Sequence, residues 1–496
     1  MSKIVFINPS TVTYWNSKVM NILNYPQTAD APNLPAMALA ALTPEKYSFT
    51  YVDEVIDEVD YTVEADLIVI MAKIQTAVRA YEIAGEFRKR GKTVIIGGGH
   101  CAVAREEVSR HCDCVMVGEG ENLWPAILED FENGGLKKVY SPEEYPCAEK
   151  LISPNIHIIN FKYYDSFPIQ ATLGCPYDCE FCAAEHSGGR IYKTKPVEQV
   201  AAEILEYEKL NQNDFKADKK SYRFVDSNLY VNRTYLKELL TMLKPLGIKW
   251  EGQGTVNIAD DEEILRLMAE SGCRGFSIGI ESIRPESLAE VNKVKTNQVD
   301  QYETCIRNLS KVGVIPRGFF IFGFDSDDVT VFQEAFSFIE RSGLIDVVSN
   351  ILTPCPGTGL YDRLKHRMFN FNYKFNYKDD NFWSIVFTPK KMSADDLMLG
   401  HWWLGAKILD LDFIWAQLKK HWNYGPWENI PQLTLRERIA LVKAAARLGR
   451  HRMYKSQKFA LRAAFYPKTS DFKRIIRHIR VSELTSIIPP VKNPAL

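Results

Sequence analysis

The sequence predicts an α/β protein with two successive parallel sheets, followed by a mainly helical C-terminal region. Three observations predict this fold. Short β-rich runs alternate with amphipathic helical patterns up to about residue 135, the alternation resumes between residues 167 and 365, and a loop with three cysteines follows the first strand of the second series. Strands separated by helices form parallel sheets, which bind ligands at the carboxyl ends of their strands. We therefore expect the functional residues at those ends.

Size and composition are those of an ordinary globular protein with two or three domains. The 496 residues are 46% hydrophobic and 25% charged, and the net charge of -1 argues against nucleic acid as a partner. No apolar run reaches 18 residues, and a strand-like stretch at residues 4–7 follows the start directly, so neither a membrane span nor a secretory leader is expected. Ten cysteines are too few for a disulfide framework, which favours a cytoplasmic location.

Residues 1–135 are predicted to form a doubly wound parallel sheet. The clearest helical periodicity lies at 76–88, and the candidate strands are residues 4–8, 48–52, 67–71, 93–96 and 114–117. The pair Cys112 and Cys114 leads into the last strand and is interpreted as core, in preference to a second cluster with Cys101 or Cys147. Residues 136–166 contain several prolines and are predicted to be a linker.

Polar residues and glycines stand at the ends of these strands. Glycine lets a backbone approach a ligand closely. Taken alone, the Gly97 to Gly99 run is explained equally well by a tight turn between a strand and a helix. The candidate ligand-binding residues of this half are Asn8, Asp53, Gly97, Gly98, Gly99, Gly118 and Glu119.

The strongest motif is the spacing C-x3-C-x2-C formed by Cys175, Cys179 and Cys182. Three thiolates this close can wrap one loop around a single metal cluster and leave one iron without a protein ligand. The alternatives are three buried free cysteines or a zinc loop. Zinc usually takes a fourth ligand from a second cysteine or histidine pair, and the sequence offers no such pair.

This loop, with the aromatic Phe181 before the third cysteine, resembles that of the radical S-adenosylmethionine (SAM) superfamily. The resemblance implies a 4Fe-4S cluster held by the three cysteines, with SAM bound at the open iron. It also implies reductive cleavage of SAM to methionine and a 5'-deoxyadenosyl radical. An electron donor such as flavodoxin or ferredoxin is the expected partner.

The second half is predicted to be an incomplete barrel of six strand-helix units, open on one side to admit a large substrate. Its active site should lie at the carboxyl ends of the strands. The predicted strands are residues 167–173, 222–225, 249–253, 275–280, 318–322 and 347–352. The predicted helices are residues 196–210, 233–243, 261–270, 299–312 and 329–341.

The resemblance to radical SAM proteins extends to these strand ends. It implies that Asp226 and Asn228 hold the amino group of SAM, that Glu281 contacts its ribose or carboxylate, and that Gly323 lets the adenine approach. Each residue alone could equally serve a turn or a helix cap. Cys355, in a motif seen near the substrate side, is interpreted as a small buried side chain, with a hydrogen donor or transient ligand as the alternative.

The first half resembles the cobalamin-binding domain that precedes many radical SAM cores. The resemblance rests on the strand ends, on the Pro-Asn-Leu-Pro entry to the first helix at 32–35 and on the Val-Gly-Glu-Gly-Glu ending at 117–121. It implies that cobalamin is a cofactor. No D-x-H-x-x-G stretch provides a histidine for the lower face of cobalt, so a domain that kept the fold and lost the cofactor stays an alternative.

The C-terminal region, residues 366–496, is aromatic and then basic. Residues 369–383 are rich in aromatic side chains, and a capping-box pattern at Ser393 predicts a helix to about residue 420. Between residues 436 and 480, fourteen Lys or Arg residues face two acidic ones, a local charge of +12. A solvated or self-docked face is the favoured interpretation, and peripheral contact with an anionic membrane is the alternative.

Together these resemblances imply a radical SAM enzyme that functionalises an unactivated carbon of a small molecule or lipid, by cobalamin-dependent C-methylation. The alternative within the superfamily is a carbon-carbon coupling, cyclising or oxidative enzyme that does not use methylcobalamin. An iron-sulfur redox carrier or sensor that uses no SAM is the alternative from another class. The predicted domains are residues 1–135, 167–365 and 366–496, with the linker between the first two.

Overall fold

The computed structural model describes residues 2–10, 31–141, 151–184, 188–211, 221–369 and 385–408, together with isolated positions between 410 and 420. The basic segment at 436–480, Cys147 and all of the aromatic stretch except Phe369 lie outside the described residues. Within the described ranges, none of the helices combines the length and the hydrophobicity that a membrane-spanning helix needs.

The first sheet is parallel throughout, as predicted. Its strands are β1 (Ser2–Asn8), β2 (Tyr47–Asp53), β3 (Leu67–Met71), β4 (Thr93–Gly97), β5 (Cys114–Met116) and β6 (Val139–Tyr140). They lie in the order β2-β1-β3-β4-β5-β6. The strand β6 lies within the range predicted as a linker, and that boundary is therefore wrong. Two paired residues are too few for a strand to be recognised by periodicity.

Helices cover both faces of this sheet because the side chains of its strands alternate between them. One face packs Ile4 and Phe6 against Trp124, and the other packs Val5 and Ile7 against Phe87. The α-helices are α1 (Leu34–Leu42), α2 (Ala77–Lys89), α3 (Gly99–Val103), α4 (Arg105–Val108) and α5 (Trp124–Glu132). The fully buried Cys112 and Cys114 belong to these two cores, which confirms their interpretation as core residues, and Cys101 is fully buried in the same core as Cys112.

The second sheet has the six parallel strands that the sequence predicts. The strands of this half are β7 (Ser166–Ile169), β8 (Thr172–Leu173), β9 (Lys193–Thr194), β10 (Ser221–Phe224), β11 (Trp250–Gly254), β12 (Cys273–Glu281), β13 (Ile315–Phe322) and β14 (Asp346–Ile351). The sheet order is β14-β13-β12-β11-β10-β7. The single strand predicted at 167–173 is in fact two, because β8 leaves the sheet and pairs antiparallel with β9.

The helices of this half begin close to the predicted positions, and side-chain caps fix several starts. The Asn232 side chain accepts from the Tyr235 amide, and Asp261 accepts from the Ile264 amide. The helices are α6 (Val197–Asn211), α7 (Arg233–Leu243), α8 (Glu262–Glu270), α9 (Pro285–Glu290), α10 (Tyr302–Lys311), α11 (Val331–Ser342), α12 (Gly359–Leu364) and α13 (Ala394–Ile408). Short 3-10 helices lie at Ile74–Thr76, Gly120–Asn122, Ile156–Ile158, Phe161–Tyr163, Lys244–Leu246, Val256–Asp260, Val299–Gln301 and Lys365–Arg367.

The capping box predicted before α13 is present. Ser393 Oγ accepts from the Asp396 amide, and the Asp396 carboxylate accepts from the Ser393 amide, each at 3.0 Å. The helix is continuous to Ile408, and the remainder of the range predicted to 420 is only partly described.

The segment between the two sheets packs against the first of them. The Asn155 amide donates to the Met37 carbonyl oxygen at 2.9 Å, and the Tyr164 hydroxyl donates to Asp53 Oδ2 at 3.1 Å. The described part of the predicted linker is therefore ordered structure that touches both α1 and the end of β2.

Candidate functional site: a cysteine loop and two sets of strand ends

The cysteine loop begins at a glycine that no other residue could replace without strain. Gly174 has φ +83°, and a Cβ there would collide with the carbonyl oxygen of Ile191. The loop then closes on itself, since the Cys175 amide donates to the Gly189 oxygen at 3.1 Å and the Cys182 amide to the Cys179 oxygen at 3.0 Å.

The loop brings the three thiols within electrostatic range of one another. Burial raises the pKa of each, and a neighbouring thiol raises it further: Cys179 acts on Cys175, Cys182 on Cys179, and Cys175 on Cys182. No group of three or more His, Cys, Asp or Glu side chains in the described part of the chain is arranged around a single metal ion. A four-iron cluster is wider than one ion, and three thiols on one loop are the donor set that it takes.

Glu180, between the second and third cysteines, anchors the loop from two sides. Its amide donates to the Val291 oxygen and its oxygen accepts from the Leu360 amide, both at 3.1 Å. Its carboxylate receives the Arg363 guanidinium through two contacts, Nε to Oε1 at 2.8 Å and Nη2 to Oε2 at 2.6 Å. Arg363 also reaches Asp325 Oδ2 at 3.1 Å, which ties the loop to the end of β13.

Asp226 and Asn228, beyond the end of β10, are buried and carry polar atoms without partners. Asp226 Oδ1 accepts from the Ala171 amide at 3.0 Å, whereas Oδ2 has no hydrogen-bond partner among the described residues. Asn228 Oδ1 accepts from the Tyr230 amide at 3.0 Å, and its Nδ2 is likewise unsatisfied. Burial raises the pKa of Asp226 to about 6. Orphaned polar atoms in a buried place fit a polar ligand such as the amino acid end of SAM.

Glu281, at the end of β12, has a left-handed backbone and a buried cationic partner. Its φ is 60°, and its Oε1 lies 3.4 Å from Nζ of Lys293. The Asn297 side chain holds the strand end by donating to the Gly279 oxygen at 2.6 Å and to the Ile280 oxygen at 3.0 Å. Lys293 was missed by sequence reasoning, because a lone lysine twelve positions after Glu281 belongs to no recognisable motif.

Backbone conformation and packing explain why residue 323 is a glycine. Its φ is +105°, and a Cβ would lie 2.8 Å from Cδ2 of Leu397 on α13. Its amide donates to Oδ2 of the fully buried Asp327 at 3.0 Å, a second residue that the sequence analysis did not single out. Contact between Gly323 and adenine stays a prediction.

At the end of the first sheet, four of the predicted residues line one cavity of about 130 Å³: Gly98, Gly99, Gly118 and Glu119. Gly98 has φ +97°, and a Cβ there would lie 2.6 Å from the Ala72 oxygen. Burial raises the pKa of Glu119 to about 8, with a smaller contribution from Glu121. The cavity lies between α1 and the ends of β3, β4 and β5.

The other three predicted residues of this half lie outside the lining of the cavity. Gly97 packs under Met116, whose Cε lies 2.6 Å from the position of an added Cβ. Asn8 Oδ1 accepts from Asn33 Nδ2 at 2.9 Å, and Asp53 accepts from the Tyr51 and Tyr164 hydroxyls at 3.2 and 3.1 Å. These contacts give Asn8 and Asp53 a structural role, and their contact with a cofactor stays a prediction.

Two further side chains have defined surroundings. Cys355 is half-buried rather than fully buried, and burial together with a smaller contribution from the Cys182 thiol raises its pKa to about 11, so Cys355 lies near the cysteine loop. His100 follows the cavity glycines, but it is fully buried, with Nε2 2.8 Å from the Tyr81 hydroxyl.

Comparison with known proteins identifies the superfamily. Residues 169–339 match the model of the radical SAM superfamily. Bacteriochlorophyllide d C-12(1)-methyltransferase of Chlorobaculum tepidum is 30% identical over 373 residues, which are 74% of this chain and 80% of that protein. Bacteriochlorophyllide d C-8(2)-methyltransferase of the same organism is 33% identical over 336 residues, which are 65% of this chain and 74% of that protein.

A solved structure shares the fold. The radical SAM methyltransferase TsrM from Kitasatospora setae, solved with cobalamin and a 4Fe-4S cluster bound, has a TM-score of 0.60 and 17% identity, over 74% of this chain and 78% of that one. With relatives at 30% and 33% identity aligned over most of their length, this chain belongs to the radical SAM superfamily of enzymes, whose members use a 4Fe-4S cluster and SAM.

Proposed function

We propose that this enzyme is a cobalamin-dependent C-methyltransferase that acts on an unactivated carbon. The observation that carries the proposal is the similarity to a carbon methyltransferase over 373 residues, which is longer than the barrel alone. The cavity at the end of the first sheet supports the proposal because it offers a place for a second cofactor.

The proposal assigns the barrel residues to the cluster and SAM. Cys175, Cys179 and Cys182 hold the iron-sulfur cluster, the unsatisfied Oδ2 of Asp226 accepts from the amino group of SAM, and the unsatisfied Nδ2 of Asn228 donates to its carboxylate. When bound, these two groups supply the 5'-deoxyadenosyl radical that removes a hydrogen atom from the substrate. The buried position of Asp226 and Asn228 excludes water from this region, which protects a radical from side reactions.

The proposal assigns residues 2–140 to cobalamin, which when bound supplies the methyl group. The cavity is smaller than the roughly 300–1,000 Å³ of a typical ligand pocket, so the residues that line it would hold only part of the cofactor. Gly98 and Gly99 would let that part approach the backbone closely. A carboxyl with a pKa of about 8, such as Glu119, is largely protonated at neutral pH and can donate to the amide oxygens at the rim of a corrin.

The first substrate class to test is a chlorophyllide-type macrocycle, because two relatives are methyltransferases named for the C-12(1) and C-8(2) positions of bacteriochlorophyllide d. A lipid is the second class. The shared fold does not choose between them, since one fold supports many substrates.

The test is anaerobic purification with cluster reconstitution and added cobalamin, followed by an absorption spectrum. We expect a corrinoid band at one equivalent per cluster. Incubation with methyl-labelled SAM, a low-potential reductant and the substrate should then form 5'-deoxyadenosine and place the label on carbon. A full cluster without a corrinoid band would contradict the proposal and favour the carbon-carbon coupling, cyclising or oxidative alternative.

A further inference from the structure

We propose that Lys293 sets the reduction potential of the iron-sulfur cluster, as a buried positive charge held against the cysteine loop by the contacts of residues 291 and 292. The inference rests on the assignment of the three cysteines to the cluster, and it is independent of cobalamin and of the substrate.

The backbone beside Lys293 contacts the cysteine loop directly. The Val291 oxygen accepts from the Glu180 amide at 3.1 Å, and the Asn292 side chain donates to the Asp178 oxygen at 3.4 Å. The Lys293 side chain is 11% exposed and its Nζ lies 3.4 Å from Oε1 of Glu281, which is 9% exposed. The segment therefore places one buried ion pair next to the loop.

Backbone strain marks the same place. Within the described residues, the non-glycine positions with positive φ are Glu281 at 60° and Asn292 at 57°. The first is the ion-pair partner of Lys293 and the second is its neighbour in sequence. A left-handed backbone costs free energy in a residue with a Cβ, and such strain persists where the surroundings enforce it, commonly at functional sites. Asparagine adopts this conformation more readily than most residues, so the strain lies at Glu281, the ion-pair partner of this lysine.

The charge of Lys293 acts on all three cysteines. Burial raises the pKa of each thiol, and the Lys293 ammonium acts in the opposite direction on each. Glu281 opposes Lys293 at Cys179 and Cys182. A group that stabilises negative charge on the ligands also stabilises the electron added when an external one-electron donor reduces the cluster, because net charge is one determinant of cluster potentials. Lys293 should therefore raise the potential, and Glu281 should lower it.

The experiment is an electron paramagnetic resonance titration of the reconstituted protein against electrode potential, without SAM, cobalamin or substrate. At the potential where the wild type is half reduced, Lys293→Met should have an oxidised-to-reduced ratio about tenfold higher, equivalent to a midpoint about 59 mV lower for a one-electron couple. Lys293→Arg keeps the charge and should stay close to the wild type.

Lys195→Met is the matched control. Lys195 is also a buried lysine of the barrel half, 2.8 Å from Oε1 of Glu203 with both side chains 3% exposed, and its charge acts on Glu121 at the end of the first sheet. Its loss removes a buried ion pair without removing the charge beside the cysteine loop. The midpoint of Lys195→Met should match the wild type.

Glu281→Gln should raise the midpoint potential of the cluster. If Lys293→Met does not bind a cluster, the midpoint potential of Glu281→Gln is the measurement that tests the inference. An unchanged midpoint in Lys293→Met, an equal shift in Lys293→Arg or Lys195→Met, or a midpoint in Glu281→Gln that does not rise would overturn the inference. Wild-type protein without iron and sulfide would overturn the cysteine assignment and this inference with it. A missing corrinoid band leaves every potential measurable, so failure of the proposed methyl transfer is recognised separately.

Discussion

The two sets of strand ends use the same architecture in different ways. At the end of the first sheet, glycine backbone is prominent in the candidate site: Gly98, Gly99 and Gly118 line a small cavity together with Glu119. At the end of the barrel, side chains form it, and these are thiols, carboxylates and an ammonium such as Lys293. The difference teaches that parallel strand ends can select a ligand by close approach of the main chain or by charge. The physical requirements of the two sites are therefore separable.

The two ends also differ in how their buried polar groups are satisfied. Asp53 in the first half accepts hydrogen bonds from two tyrosine hydroxyls and a backbone amide. Asp226 in the second half keeps Oδ2 without a partner in the described chain. A buried polar atom without a partner is costly, and its retention points to a ligand that satisfies it.

The largest expected effect is the loss of SAM cleavage in Cys179→Ala. The remaining two thiols cannot hold the cluster, so reductant-dependent 5'-deoxyadenosine should fall to background, as measured by chromatography and mass spectrometry. Cys305→Ala is the control, because Cys305 is a core residue of α10 and 1% exposed. Continued SAM cleavage by Cys179→Ala would contradict the assignment of the three cysteines to the iron-sulfur cluster at the end of the barrel.

A pair of glycine substitutions tests the backbone-built end. Gly98→Ala should lower the free energy of unfolding by about 1–3 kcal/mol or more. The reason is that φ at Gly98 is +97° and the added methyl group would clash with the Ala72 oxygen. Gly99→Ala should leave stability unchanged, since nothing lies within 4 Å of its added methyl group. Denaturant titration measures both.

The second readout of that pair is the corrinoid band. In Gly99→Ala the methyl group occupies part of the cavity lining while the fold is kept, so cobalamin binding should weaken. If Gly99→Ala binds cobalamin as well as the wild type does, the cofactor does not approach the main chain at this cavity.

A smaller effect is expected when the cysteine loop loses its ionic anchor. Arg363→Met removes a bidentate contact with Glu180 and should lower stability by about 1–2 kcal/mol, and it should reduce iron retention after desalting. Arg341→Met is the control, since Arg341 and Glu303 form an exposed pair at 2.7 Å worth about 0.2–1 kcal/mol. Equal iron retention in the two variants would contradict a role for Arg363 in holding the loop.

The last prediction concerns pH and the carboxyl of Glu119 at the end of the first sheet. The folded-state pKa of Glu119 is raised from 4.5 to about 8, so the folded state binds more protons than the unfolded state between these values. Stability should therefore fall as pH rises from about 4.5 to 8, and Glu119→Gln should reduce that slope. Thermal melts of apoprotein at pH 5, 7 and 9 measure it, and an unchanged slope would show that Glu119 titrates normally.

Much of the barrel could be predicted from sequence because its signals are local. Periodicity located all six barrel strands, and the predicted starts of α7 and α8 lie within a residue of the observed starts, which the side chains of Asn232 and Asp261 cap. The split of the first barrel strand was missed, because β8 leaves the sheet to pair with β9, about twenty residues further along the chain. A strand of two residues, such as β6, is too short to show an alternation of hydrophobic and polar residues, so the sequence pattern cannot predict it.

The sequence by itself determined the cysteine spacing, the alternation of strands and helices, and the order of polar residues at the strand ends, since each depends on neighbours a few residues apart. Only the tertiary structure decided that Gly98 and Glu119 share a cavity while Asp53 bonds to Tyr164. It also decided that Lys293 reaches Glu281 and the cysteine loop. Burial and charge coupling depend on distances through space, and these are fixed only when segments far apart in sequence pack together.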